Sequence, residues 1–150
     1  KVSIAATAKS NIIVGVVSHD KNMHDSHTLP DILDHIKQSR GQSAKEAVCD
    51  KGYRGKRNVN GTEIILPGKG LKKDTRYQRD KKRKRCRRRA AIEPIIGHLK
   101  SDYGLGLNYL KGIVGDEINA LMAATAWNLR QYILTFYVVV LLCFLVIIKS

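Results

Sequence analysis

The chain has 150 residues, which is enough for one domain with a hydrophobic core. Its 27 lysines and arginines against 13 aspartates and glutamates give a formal net charge of +14. This charge indicates a polyanionic partner, namely DNA, RNA or an anionic membrane surface, with a merely basic soluble protein as the alternative. Three scattered cysteines without a C-x-x-C pair exclude a disulfide framework and a zinc site, and they fit a reducing cytoplasm.

The first half of the chain predicts strands with one helix between them. It begins within an apolar alternating stretch, which suggests part of a longer protein. Apolar residues at 2–4 and 12–17 flank a turn-like segment, as in an antiparallel hairpin. Pro30 suits the first turn of a helix and Gly41 its C-cap. Short apolar runs at 47–49 and 63–66 predict two strands, separated by a turn-rich loop.

The composition changes sharply at residues 69–89, where thirteen of twenty-one residues are lysine or arginine. One interpretation is a DNA-contacting arm, which would bind through salt-sensitive, sequence-independent contacts. The other is a solvated, disordered linker. The two are compatible, because such arms often order only on binding. Tyr77 is the only aromatic residue in the segment, so base stacking has little support.

The second half is predicted to be helical. Apolar residues from 92 to 99 recur at helical spacing, and Pro94 restricts the start of this helix to the vicinity of Glu93, unless the helix kinks there. A long helix is predicted from residue 115 or 116. Its apolar residues are expected to form one broad face: Ile118, Leu121, Met122, Ala124, Trp127 and Leu129. The order of strands and helices indicates an α/β fold.

Residues 132–148 form an uncharged run of seventeen residues. A membrane-spanning helix needs about 20 apolar residues, with about 17 as the lower limit. The run is also rich in β-branched and aromatic residues, so a buried strand or a core helix is open as well. We expect a separate hydrophobic tail at 132–150 and do not expect a membrane partner.

Basic residues surround one acidic residue at the start of the predicted helix. At about 100° per residue, Arg89, Glu93 and Lys100 fall within about 40° of one another, beside the apolar face. Taken alone, this pattern also fits a solvated charged stripe with an ordinary i,i+4 ion pair.

The run RRRAAIEPIIGHLK at 87–100 resembles the signature of the insertion-sequence DDE transposases. That signature is a tyrosine, an arginine, a glutamate and a lysine, separated by two, three and six residues. Arg89, Glu93 and Lys100 match this spacing, whereas Cys86 stands at the tyrosine position. Upstream, CDKGYRG at 49–55 is similar to the segment that carries the family's second catalytic aspartate, which corresponds to Asp50. The resemblance covers residues 1 to about 131.

The resemblance implies a partial ribonuclease-H-like fold, a mixed sheet with flanking helices that lacks its first strand. That strand would precede Lys1 and carry the first catalytic aspartate. The catalytic domain would be 1–131, with 69–89 as its DNA-contacting segment. Asp50, at the end of a central strand, and Glu93 would be catalytic and would ligate Mg²⁺ or Mn²⁺. Basic side chains would hold DNA: Arg89, Lys100, Lys81, Lys82, Arg83, Lys84, Arg85, Arg87 and Arg88.

The resemblance also implies metal-dependent DNA cleavage and strand transfer at the ends of a mobile element by the intact protein. Further implied are a homo-oligomer on DNA and a cytoplasmic, nucleoid-associated location. The 150 residues alone are expected to be inactive. An alternative is a catalytically dead DNA-binding remnant of a decayed insertion sequence, favoured by the missing aspartate, Cys86 and the hydrophobic tail. A third class, a membrane-anchored basic protein, rests on the tail alone.

Overall fold

A computed structural model of the chain describes residues 1–21, 23–53, 57–68 and 73–149, with the backbone alone at 25, 26, 51, 88 and 146–149. It has the predicted α/β composition. Two single 3₁₀ turns, Lys51–Tyr53 and Arg88–Ala91, interrupt the regular elements. These elements are β1 (Val2–Ala6), β2 (Ile13–Ser18), α1 (Asp25–Arg40), β3 (Glu46–Val48), β4 (Asn58–Val59), β5 (Thr62–Ile65), α2 (Arg76–Arg87), α3 (Ile92–Ser101) and α4 (Gly112–Lys149).

The described strands form two sheets. Strands β1 and β2 pair antiparallel, which confirms the predicted hairpin. In the second sheet the order is β3-β5-β4, with β3 parallel to β5 and β4 antiparallel to it. The prediction of a central strand before Asp50 is therefore wrong for these residues, because β3 lies at the edge of its sheet. It is also half-buried rather than buried.

A second hairpin lies in the segment predicted as a continuous loop. Strands β4 and β5 are joined at Asn60 and Gly61, which have positive φ angles of 51° and 82°. Asn-Gly is the preferred pair for a two-residue hairpin turn, because both residues tolerate the left-handed conformation. The dipeptide is thus a sequence signal that the loop prediction missed.

Helix α1 packs on both sheets. Gly15 in β2 permits a close approach, because a Cβ atom there would lie 2.9 Å from Cγ1 of Ile36. The helix begins five residues before Pro30, so the prediction of Pro30 in the first turn is wrong. Gly41, with a φ of 67°, follows the last helical residue as predicted. The shared core consists of Leu29, Ile32, Leu33 and Ile36 from α1 with Val59 and Ile64, flanked by Val14 and Val17.

Helix α4 packs against β2 through small residues. A second core cluster contains Ala120, Ala123, Ala124 and Trp127 from α4 with Ile13, Val16, Ile95 and Leu99. Most of the predicted broad apolar face is exposed instead, by 43–66 % at Ile118, Leu121, Met122 and Leu129. The prediction was wrong because only the narrow stripe that contains the alanines lets the helix approach the sheet. The helix also begins at Gly112, earlier than predicted.

Two polar side chains of α4 form hydrogen bonds with the backbone at and just before the start of β2. The Asn128 side chain accepts a hydrogen bond from the Ile13 N–H and donates one to the Ile13 carbonyl, both at 2.8 Å. The indole N–H of Trp127 donates to the carbonyl of Asn11 at 2.7 Å. These contacts join the second half of the chain to the first hairpin.

Helix α4 continues without interruption past residue 131, and every residue from 132 to 145 is exposed. The alternatives of a buried strand and of a core helix are therefore wrong for these residues. By length and composition, the range Gly112–Leu145 qualifies as one candidate membrane span. The domain boundary at 131 stays a prediction.

Candidate active site and nucleic-acid interface

Arg89 contacts two carboxylates that are 43 residues apart in sequence. Its Nη2 atom lies 3.1 Å from Oδ2 of Asp50 and 3.2 Å from Oε1 of Glu93. Because one nitrogen contacts both oxygens, those oxygens can be no more than about 6.3 Å apart. The structure thus brings together the two acidic residues and the arginine of the predicted site. Their catalytic and metal-binding roles stay predictions.

Backbone geometry explains the positions of both acidic residues. Asp50 follows β3, whose pairing extends through a hydrogen bond from the Cys49 N–H to the carbonyl of Ile65 at 3.0 Å. A 3₁₀ turn begins directly after it. Glu93 is the second residue of α3, which follows the 3₁₀ turn Arg88–Ala91 directly, since the Ile92 N–H donates to the carbonyl of Arg89. The prediction that Pro94 confines the helix start to this region is confirmed.

The carboxylate pair is open to solvent. The side chains are 51 % exposed at Asp50, 69 % at Glu93 and 28 % at Arg89. Ion pairs of this kind contribute about 0.2–1 kcal/mol each, so the contacts orient the groups without locking them. Carboxylate oxygens are the donors that Mg²⁺ prefers, and two fit part of its ligand set. Within the described ranges, no cluster of three or more His, Cys, Asp or Glu residues occurs.

Two cysteines lie near this region. Burial raises the pKa of the Cys49 thiol to about 11, so the thiol is protonated at neutral pH and is a poor ligand and nucleophile. Cys86, at the tyrosine position of the signature, has its Sγ atom 3.8 Å from the carbonyl oxygen of Leu66. Its contact attaches α2 to the end of the second sheet. The rest of the CDKGYRG motif, Arg54 and Gly55, lies outside the described residues.

Helix α2 is a strongly basic element on the surface. Eight of its twelve residues are lysine or arginine and one is acidic, a net charge of +7, and none is buried. Thr75 and Gln78 exchange hydrogen bonds at its start, the Gln78 N–H to Thr75 Oγ1 at 3.3 Å and the Thr75 N–H to Gln78 Oε1 at 2.9 Å. This capping box favours a helix. From residue 76 the predicted basic segment is therefore helical and not a disordered linker, while 69–72 lie outside the described residues.

The predicted DNA-contacting residues differ in exposure. Arg85 is half-buried and its Nη2 lies 3.0 Å from Oε1 of Glu46, which holds the end of α2 against β3. An open cleft of about 1000 Å³ along α2 is lined by Arg76, Arg79, Lys82, Arg83 and Arg87 with Asp74 and Asp80. The side chain of Arg88 lies outside the described atoms. The exposed members of the predicted set are Lys81, Arg83, Lys84, Arg87 and Lys100.

A polar cluster at the end of α3 was not predicted from the sequence. His98 Nδ1 lies 2.8 Å from Oδ2 of Asp102, and Ser101 Oγ donates to Oδ1 of the same carboxylate at 2.5 Å. The hydrogen bonds from Ser101 and His98 lower the pKa of Asp102. The His98 ring stacks on Trp127, with centroids 5.9 Å apart. Because Ser101 contacts the carboxylate and not the imidazole, the cluster lacks the nucleophile–base pair of a hydrolase. The position of this cluster, where α3 packs against α4, indicates a structural role.

The fold and site together define a basic α/β protein with paired surface carboxylates next to a cationic helix. Residues 1–129 match the protein-family model described as "Transposase DDE domain". Because this match covers most of the chain, the protein belongs to the DDE transposase family, which confirms the predicted resemblance. Neither the comparison with curated proteins nor the comparison with solved structures gave a match.

Proposed function

We propose that this chain forms part of a DNA transposase that cleaves DNA at the ends of a mobile element and joins the cut strands to a target. The observation that carries the proposal is the convergence of Asp50 and Glu93 on Arg89, beside the basic helix α2. Family membership supports the transposase activity in general. The roles of individual residues rest on the geometry and on the signature spacing.

In this proposal Asp50 and Glu93 hold Mg²⁺ or Mn²⁺ through carboxylate oxygens. When bound, such ions activate the attacking hydroxyl and stabilise the leaving oxygen in phosphoryl transfer. Without the ion, Arg89 orients both carboxylates, and its planar guanidinium can also bind a DNA phosphate through two hydrogen bonds. Lys100 is exposed seven residues after Glu93 and adds a point charge for the DNA backbone.

We propose that the fold is ribonuclease-H-like and is completed by one more strand. Support comes from α1, whose side chains pack on both sheets. Among the described strands, β1 pairs only with β2, and β3 pairs only with β5. A strand from a longer form of the protein that paired with β1 and β3 would join the two sheets and could bring the third carboxylate to the pair.

Helix α2 is proposed to bind the DNA backbone. Its net charge of +7 on an exposed surface predicts affinity through counterion release, which falls steeply with salt. A homo-oligomer on DNA and a cytoplasmic, nucleoid-associated location accompany this proposal. Neutralising one phosphate-contacting lysine such as Lys84 should weaken binding to all sequences alike and reduce the salt dependence by about one ion.

The experiment that tests the catalytic assignment uses the full-length protein and a DNA that carries the element ends. We expect Asp50→Asn and Glu93→Gln to abolish Mg²⁺-dependent cleavage while DNA binding is retained. Asp102→Asn is the matched control, because this carboxylate is similarly exposed and directly follows the helix that contains Glu93. Unchanged cleavage by either site variant would refute the assignment.

A catalytically dead DNA-binding remnant is the second candidate. It is supported by Cys86 at the tyrosine position and by the presence of only two acidic residues around Arg89 in the contacts described. For the 150 residues alone we expect DNA binding without cleavage. Mg²⁺-dependent cleavage by these residues would show that no further carboxylate is needed. A full-length protein that binds its ends but cleaves nothing would favour the remnant.

A further inference from the structure

The second half of α4 is an apolar helical segment that is exposed along its described length. All fourteen residues from 132 to 145 are exposed, whereas Trp127 one turn earlier is 5 % exposed and Ala123 is 1 % exposed. The sequence of these fourteen residues is YILTFYVVVLLCFL. Contiguous exposed apolar surface of this extent marks an interaction site.

The distribution of the apolar side chains around the helix axis indicates what kind of partner can cover them. Fourteen consecutive positions span almost four helical turns, so apolar side chains project in every direction around the axis. A helix that is apolar on all sides belongs in a protein core or a bilayer, and one partner surface covers only one side of it. A second copy of this chain would leave the far side of each helix in water, and the two copies, each at +14, would also repel one another.

The few polar groups suit a lipid environment. The Thr135 hydroxyl donates to the carbonyl of Gln131 at 2.8 Å, so it presents no unsatisfied donor. Tyr132 and Tyr137 lie toward the end of the segment nearest the folded body, where the amphipathic ring of tyrosine favours the headgroup region. Basic residues occur in sequence on both sides, at Arg130 and Lys149.

We propose that residues 132–148, the distal segment of α4, insert into a lipid bilayer with anionic headgroups. Seventeen residues extend about 25 Å as a helix, close to the hydrocarbon thickness of about 30 Å. The candidate span begins at Gly112 by composition, but Ala120, Ala123 and Trp127 pack on β2, so insertion is confined to the part beyond Gln131. The net charge of the chain complements anionic lipid. This assignment replaces the expectations of no membrane partner and of a purely cytoplasmic, nucleoid-associated location, and it does not depend on catalysis.

The test is flotation of the full 150-residue chain after cell-free synthesis with vesicles of phosphatidylcholine and phosphatidylglycerol. Bound protein is then washed in about 1 M salt, where the Debye length is about 3 Å and electrostatic adsorption is screened. We expect the wild-type chain to stay with the vesicles. The double variant Val139→Asp/Leu142→Asp places two charges near the middle of the segment and should lower partitioning at least about 100-fold.

The matched control is Leu121→Asp/Met122→Asp, which changes the charge equally at exposed positions on the same helix, within the folded body. It should float like the wild type. Emission from Trp127, the only tryptophan, reports whether each variant keeps its core. Release by the salt wash, equal flotation of both double variants, or a lipid-free discrete oligomer that Val139→Asp/Leu142→Asp dissociates would each overturn the proposal.

Discussion

Arg89 occupies the position of a cation between Asp50 and Glu93, and its replacement offers a direct test of the site. We predict that Arg89→Gln increases the affinity of the chain for Mn²⁺. In the structure the guanidinium contacts both carboxylates at 3.1 and 3.2 Å, so a divalent ion that binds both oxygens must first displace it. Glutamine removes the positive charge and keeps a polar side chain of intermediate length.

The magnitude follows from the two ion pairs. Each contributes about 0.2–1 kcal/mol when exposed, so displacement of the guanidinium costs about 0.4–2 kcal/mol. A free-energy difference of 1.4 kcal/mol is a factor of about ten, and the predicted gain in Mn²⁺ affinity is therefore about 2- to 30-fold. Repulsion between the carboxylates adds about 0.7 kcal/mol in water at about 6 Å, in the same direction.

Titration of Mn²⁺ followed by electron paramagnetic resonance measures this affinity. Arg85→Gln is the matched control, because it removes one positive charge from a partly exposed ion pair with Glu46, away from the carboxylate pair. We expect less than about a twofold change for that variant, since the contribution of a more distant charge is screened. An affinity that is unchanged or lower in Arg89→Gln, or that rises equally in both variants, would refute the reasoning.

Three further predictions concern stability and reactivity. Asn128→Ala removes both hydrogen bonds to the Ile13 peptide group and should lower the free energy of unfolding by about 2–4 kcal/mol, measured by urea titration with tryptophan emission; a loss below about 1 kcal/mol would contradict it. Because the pKa of Asp102 is lowered in the folded state, its contribution is present above its ordinary pKa of 3.8 and is lost as the pH falls through the lowered value. The Tm of Asp102→Asn should thus lie below that of the wild type at pH 7 and approach it in strong acid, and a constant gap would argue against the linkage. In solution without lipid, iodoacetamide at pH 8 should modify Cys143, which is exposed, before Cys49, whose pKa is about 11, as followed by mass spectrometry; the reverse order would contradict the burial of Cys49.

The sequence predicted those elements whose signals lie within a few neighbouring residues. Alternation predicted the first hairpin, and the left-handed conformation of Gly41 ends α1 as expected. The Asn60-Gly61 turn carried an equally local signal that the loop prediction passed over. The buried face of α4 could not be predicted in this way, because exposed Met122 is more apolar than buried Ala123. Close approach to β2 selects the smaller side chain, and this depends on the tertiary structure.

The candidate site likewise combines a contact that a local sequence signal predicted with one that depends on the fold. The contact between Arg89 and Glu93 follows from four-residue spacing on one helical segment, and the sequence alone predicted that the two share a stripe. The proximity of Asp50 requires the fold, and only the resemblance connected CDKGYRG with the helix. The basic segment was evident from composition, but its helical form depends on the capping box at Thr75 and Gln78, which composition does not reveal.

The carboxylate pair and helix α2 differ in charge, which bears on how each would meet a DNA phosphate. Asp50, Glu93 and Arg89 carry a formal net charge of −1, which would repel a phosphate, whereas a divalent cation would bring the group of three to +1. Helix α2 carries +7 and attracts phosphate without any metal. Under the proposed function, α2 would therefore bind DNA without metal, whereas Asp50 and Glu93 would accept a nearby phosphate only with a divalent ion to offset their charge. The Arg89 guanidinium would lie next to that phosphate, where its charge would assist binding. An arginine at this position can stabilise the carboxylate pair in the absence of metal and can also bind a DNA phosphate, so a guanidinium suits it better than an uncharged side chain.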